Sequence, residues 1–195
     1  MEYKWVKKKE VAFSEYESLK NELAIPDVIA KMLISRGVNS FDEAKEFFRP
    51  RLENLHDPFL LKDMDKAADR LVKSIKNNEK IIVYGDYDVD GTTSVSMMTH
   101  FLRTYSDCIV EYYIPDRYSE GYGVSEKFID SLEAKKSHLV ITLDCGIRAV
   151  ELIEKGSKHG VDFIICDHHE PGEKLPPAYA ILDPKRKDCD YPFDG

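Results

Sequence analysis

The chain has 195 residues, 43% of them hydrophobic, and a formal net charge of −8. That is enough apolar matter for a real core, and too acidic a balance for a surface that binds phosphate backbones broadly. It does not exclude a metal site that handles phosphates, since such a site must itself be acidic. No apolar run approaches membrane-spanning length, and the N-terminal stretch Met1–Glu10 is charged, unlike a signal peptide. Cys108, Cys145, Cys166 and Cys189 show no C-x-x-C spacing and lie in or beside apolar runs, so free, buried thiols are expected, in a soluble cytoplasmic protein with no membrane partner.

Residues 1–79 lack strand-like alternation and read as a helical lead-in. Its Lys7–Lys9 run fits a solvated end better than a DNA contact. Pro26 marks a helix start, with Val28, Ile29, Met32 and Leu33 at helical spacing and Gly37 as the stop. Ser40 is placed to cap Phe41–Phe48, with Glu43 completing a capping box. After the Pro50 and Pro58 loop, Met64, Ala67, Ala68, Leu71 and Ile75 share one face of a longer helix.

From residue 80 the pattern changes. Strands are predicted at Ile81–Tyr84, Ile109–Ile114, Leu139–Leu143 and Phe163–Cys166, with helices near 92–104, 125–135 and 147–158. Such alternation implies an α/β domain over 80–195, a parallel Rossmann-like sheet with helices on both faces, following the small helical N-terminal region. Ligands of such sheets gather beyond the carboxyl ends of the strands.

Those ends carry the polar chemistry. The first strand runs into Gly85-Asp-Tyr-Asp-Val-Asp-Gly91, where Asp86, Asp88 and Asp90 repel one another with no basic residue between Ile81 and His100, so a bound cation is the economical explanation. A calcium loop fails, because the twelfth position is Met97 and a strand precedes the motif. The aspartyl-phosphate motif of haloacid-dehalogenase-like phosphatases fits Asp88-Val-Asp-Gly-Thr92 and remains open on this stretch alone. The second strand leads to Pro115-Asp-Arg117 and Glu120-Gly-Tyr-Gly123, the third to Asp144-Cys-Gly146, and the fourth to Asp167-His168-His169-Glu170. Asp144 by itself would serve as a helix cap; with two histidines and three aspartates on one rim it becomes a ligand candidate.

With Asp167-His168-His169 placed after a strand and downstream of the acidic loop, the sequence resembles the DHH phosphoesterase superfamily, and within it the single-strand-specific exonucleases. The resemblance extends over Leu33–Gly37, His56-Asp-Pro58, Ile114-Pro-Asp-Arg117, Glu120-Gly-Tyr-Gly123, Thr142-Leu-Asp-Cys-Gly146 and Asp183-Pro-Lys-Arg186. It removes the dehalogenase reading, whose downstream acidic motif does not appear. It implies a two-metal site, Mn2+ or Mg2+, that hydrolyses phosphodiesters from the 5′ end of single-stranded DNA in repair and recombination. By position it makes Asp88, Asp90, Asp144 and His168 metal ligands, with Asp144 as the bridge. His169 would face the phosphate, Asp86 and Asp167 would support catalysis, and Arg117 would bind phosphate.

Tyr84 stands where many members carry histidine, and tyrosine is a poor metal ligand at neutral pH. The resemblance also implies a later aspartate, a second domain and an oligonucleotide-binding module; Asp194 does not match that aspartate. The chain by itself is therefore expected to fold, bind single strands weakly and show little nuclease activity. Two other functions compete: a DHH-type phosphoesterase acting on small phosphates, such as a pyrophosphatase, oligoribonuclease or cyclic-dinucleotide phosphodiesterase, and a catalytically silent binding or scaffold module. Repair-protein partners are not specified by any motif.

Overall fold

Alternate residues of the first two apolar strands face opposite sides, and both sides are covered. In the computed structural model, which describes residues 4–6 and 10–193, β1 (Ile81–Gly85), β2 (Val110–Tyr113), β3 (Leu139–Leu143), β4 (Asp162–Cys166) and β5 (Ala180–Leu182) form one sheet. The order is β2-β1-β3-β4-β5, and every pairing is parallel. Ile82, Tyr84, Val140, Phe163 and Ile165 face one core with Phe128, Ile129 and Leu132 of α6 (Glu126–Lys135) and Ile153 of α7 (Val150–Ser157). Ile81, Val83, Leu139, Ile141 and Ile164 face the other, with Val95 and Leu102 of α5 (Val89–Tyr105) and with Ala67, Leu71 and Ile75 of α4 (Met64–Lys76). The period of two thus builds a three-layer α/β domain, as the alternation of elements implies.

Two compact units are present, residues 1–55 and 56–195. The division falls before α4 and not at 79/80, because the apolar face of α4 belongs to the sheet domain's core. In the first unit α1 (Phe13–Leu23), α2 (Asp27–Ile34) and α3 (Phe41–Phe48) enclose Leu19, Leu33, Val38 and Ala44. Ser40 caps α3 by accepting from Glu43 N, and Glu43 Oε2 in turn accepts from Asn39 N, one residue earlier than in an ideal capping box. Of the expected face of α2 Leu33 is buried, with Ala30 beside it, whereas Val28, Ile29 and Met32 stay exposed. The Lys7–Lys9 run and Asp194 lie outside the described residues. Among the described residues no helix is long and apolar enough to cross a membrane, and the four cysteines are free.

The sheet order positions the site. β1 is followed by β2 on one side, and the chain then crosses back to place β3 on the other, so the ends of β1 and β3 open a crevice at the point where the winding reverses. Close packing fixes the acidic loop over this point. A Cβ on Gly91 would lie 2.4 Å from the Asp86 carbonyl oxygen and 2.7 Å from the Asp86 backbone nitrogen. Gly91→Ala is therefore expected to destabilise the domain by about 1–3 kcal/mol, because backbone on both sides resists displacement. Thermal unfolding should show a midpoint several degrees lower, at about 2–4 °C per kcal/mol for a chain of this size.

Candidate metal centre

The first residue beyond each of four adjacent strands is an aspartate. The register pairs Gly85 with Leu143, Leu143 with Cys166 and Cys166 with Leu182, so Asp86, Asp144, Asp167 and Asp183 follow at one level of the sheet. All four are buried. Neighbouring strands lie about 4.8 Å apart, so the row concentrates like charge and each carboxylate must find an answer.

Asp167 is the most completely answered. Its Oδ1 accepts from the backbone N–H of His168 (2.8 Å) and His169 (3.2 Å) and from His169 Nδ1 (2.7 Å), while Oδ2 accepts from Ile147 N (2.9 Å). These bonds make Asp167 the clamp of the histidine loop. Asp144 takes a left-handed backbone (φ 61°), a conformation that aspartate tolerates better than most residues. Its Oδ1 meets His168 Nε2 at 3.0 Å, whereas Oδ2 is buried without a hydrogen-bond partner. The Asp88 carboxylate adds its negative charge nearby. Burial, followed by the Asp88 carboxylate, pushes the Asp144 carboxyl up to about 6, against the pull of His168.

The acidic loop separates its three carboxylates. Asp86 points inward, fully buried, with neither oxygen in a well-formed hydrogen bond; burial raises its pKa and Asp88 adds to the effect, while the Tyr87 and Gly123 amides pull the other way. Asp88 is the N-cap of α5, accepting from Gly91 N at 3.0 Å, and this bond holds its carboxyl below the usual range. Asp90 is exposed in the first turn of α5 and lines a cleft that also borders Asp144 and His168.

Ligand atoms of Asp144, His168 and His169 lie within 4.8 Å of one another, close enough to hold one cation. Among the expected ligands, then, Asp144 and His168 come together, while Asp88, though near enough to raise the Asp144 pKa, and Asp90 stand outside the group. His169, expected to face phosphate, lies inside it. Borderline imidazole with hard carboxylate suits Mn2+, and the unpartnered Oδ2 of Asp144 is the kind of atom a cation would satisfy.

A loop from β2 to α6 closes the rim and was only partly legible in the sequence. Glu120 organises it: Oε2 accepts from Tyr113 Oη (2.7 Å) and Ser125 Oγ (2.6 Å), and Oε1 from Asp116 N (3.2 Å). Tyr84 Oη donates to Gly123 O (2.8 Å) and accepts from Ser125 N (3.1 Å), and burial drives its pKa far up. That phenol braces the loop and is no metal ligand. The loop carries Tyr122, whose Oη lies 2.8 Å from His169 Nε2. Burial, then the surrounding aspartates, pushes the Tyr122 phenol up to about 12, so it stays protonated and donates. His169 therefore donates through Nδ1–H to Asp167 and accepts at Nε2. Arg117, exposed, places its guanidinium 5.1 Å from the centre of the Tyr87 ring, while Asp116 and Glu120 bond elsewhere.

Residues 80–191 match the family model of the DHH family, N-terminal domain. The chain belongs to the DHH family. This DHH domain is 44% identical over 177 residues to the single-stranded-DNA-specific exonuclease RecJ of Bacillus subtilis, covering 91% of this chain and 22% of that protein. The Escherichia coli RecJ is 32% identical over 168 residues, covering 86% of this chain and 28% of that protein. The chain thus spans about a quarter of the length of these relatives. Among solved structures, RecJ from Thermus thermophilus in complex with Mn2+ superposes with a TM-score of 0.66 at 25% identity, over 93% of this chain and 25% of that one. An exonuclease RecJ bound to manganese gives 0.65 at 31% identity, over 72% of this chain and 35% of that one.

The raised Asp144 carboxyl has a measurable consequence. Its folded pKa near 6 exceeds the ordinary 3.8, so its contribution to stability is fully present below about pH 3.8 and is lost as pH rises through 6. In metal-free protein Asp144→Asn should therefore raise the unfolding free energy at pH 7 by about 1–2 kcal/mol after discounting for solvent screening, and change it little at pH 3.5. Parallel melting curves of the two proteins at both pH values check this.

Proposed function

We propose that the domain hydrolyses phosphodiester bonds at the 5′ end of single-stranded DNA with the help of Mn2+. The observation that carries this reading is the grouping of Asp144, His168 and His169 at the reversal point of the sheet, in a chain 44% identical to a single-stranded-DNA-specific exonuclease. The identity of the relatives favours a DNA strand over a small phosphate as the substrate class.

In this reading Asp144 and His168 hold the cation, with Asp88 from the opposite lip of the crevice and Asp90 reaching in from the first turn of α5. Bound there, divalent ions supply Lewis acidity and an acidified water. The chain's own residues do the rest. Asp167 orients His169 through Nδ1, and Nε2, which accepts from Tyr122 Oη, faces the rim as an acceptor for a proton in transit. Asp86, buried behind Asp88, keeps the acidic loop's field negative where the cation sits. Arg117, resting on Tyr87, offers its guanidinium fork to a phosphate of the strand.

The test replaces the equivalent segment of the Bacillus subtilis relative with this chain and follows a 5′-labelled oligonucleotide in Mn2+. The chimera is expected to shorten the single strand and spare the duplex. Asp144→Ala and His168→Ala should each lower kcat by a factor of about 10³ or more, the loss of several kcal/mol of charge stabilisation. A folded chimera that leaves the single strand intact would refute the assignment. Arg117→Ala should raise KM several-fold with kcat little changed, as removal of a binding contact does.

A further inference from the structure

On the α7 side of His169 lies a second hollow, a cavity of about 320 Å³. Its lining includes Tyr122, Val124, Ile147 and Leu152, together with His169 and the exposed Arg148. We propose that this hollow seats the nucleoside of the strand's terminal residue, an inference that rests on the nuclease reading above.

Three features point to that ligand. The volume is at the small end of the range for small-molecule sites, about 300–1,000 Å³, and suits a single nucleoside. The walls are aliphatic and aromatic, and the nearest carboxylate, Asp167, is fully engaged with Ile147 N, His168 N and the two His169 donors. The other polar side chains of the lining are the buried Cys145 thiol and Arg148, assigned below to the phosphate, so the hollow takes a base mainly by contact and stacking, as sequence-neutral single-strand binding requires. Arg148 is anchored through Nε to the Glu170 carbonyl at 2.7 Å, and among the described residues its terminal nitrogens make no hydrogen bond. An exposed guanidinium held by one nitrogen is placed to take a phosphate oxygen as the nucleoside enters.

The larger cleft on the other side of the crevice is a poorer seat. It is about 920 Å³, walled by Met64, Leu71 and Met98, and the charged groups at its rim include Asp90 and Asp144. No arginine or lysine lines it to meet a phosphate.

The test titrates the isotopically labelled 195-residue chain, in Mg2+, with dAMP, with dTMP and with inorganic phosphate, reading backbone amide shifts. All three should move His168 and His169, and only the nucleotides should move Val124, Ile147 and Leu152, with affinities for the two bases within about threefold. Leu152→Trp, which fills the hollow, should remove the nucleotide-specific shifts and weaken dAMP at least tenfold while leaving the phosphate response intact. Arg148→Ala, at an exposed position whose bond to the Glu170 carbonyl is lost with it, should weaken dAMP about fivefold or more with the thermal midpoint little changed. If dAMP moves the histidines but not the hollow, or binds both variants as it binds the parent chain, the seat is elsewhere and the nuclease reading stands. If none of the three ligands moves the histidines, both inferences fail together.

Discussion

Negative charge gathered at one end of a parallel sheet is the constraint on which the rest of this domain depends. Four strands end at one level in aspartate, and each carboxylate is stabilised differently. Asp167 is saturated by amides and an imidazole, Asp144 is half satisfied by His168, Asp183 accepts from Lys185 N with one oxygen left over, and Asp86 has no well-formed bond. An unpartnered buried acceptor opposes folding. Those of Asp86 and Asp144 lie where β1 and β3 part, which is where a cation would turn an opposing term into a favourable one.

The supporting structure serves the histidines as much as the acids. His168 is oriented by Asp144 and His169 by Asp167, so the two rings, 4.8 Å apart, are each set by a carboxylate from a different strand end. On the outer side the loop pinned by Glu120 and Tyr84 supplies Tyr122. Tyr84 takes no part in the grouping of Asp144, His168 and His169. It is a strut, stacked on Tyr113 at 5.5 Å and bonded to both sides of the turn it supports.

Much of this was legible in the chain. Leu139–Leu143 is a strand to the residue, and β1 and β4 differ from expectation by one residue at an end, because β-branched apolar runs between polar stops leave few alternatives. Less visible was β5, a three-residue strand after a proline-bearing loop that carries too few residues for a period to show. The acidic loop misled in a specific way. Alternation of Asp86, Asp88 and Asp90 suggests one extended comb of ligands, but α5 begins at Val89, earlier than the apolar pattern indicates. Winding into a helix turns the three carboxylates in different directions, and the capping role of Asp88 is the reason the helix can start there. Arg148 carried no local signal, and the Asp183-Pro-Lys-Arg186 motif gave Asp183 no role, since each acquires its significance from a neighbouring strand end or from a wall contributed by another segment.

That dispersal bears on how the protein is made. The sheet places β3 beside β1 only after the chain has passed through β2, and the histidines follow β4. On a ribosome the acidic loop therefore emerges long before Asp144 and His168, with nothing to pair it. A metal ion cannot template the early stages of folding, as it does in domains whose ligands lie within one short segment. It can only be captured by a sheet that has already assembled, and its binding then stabilises the domain as a whole by mass action.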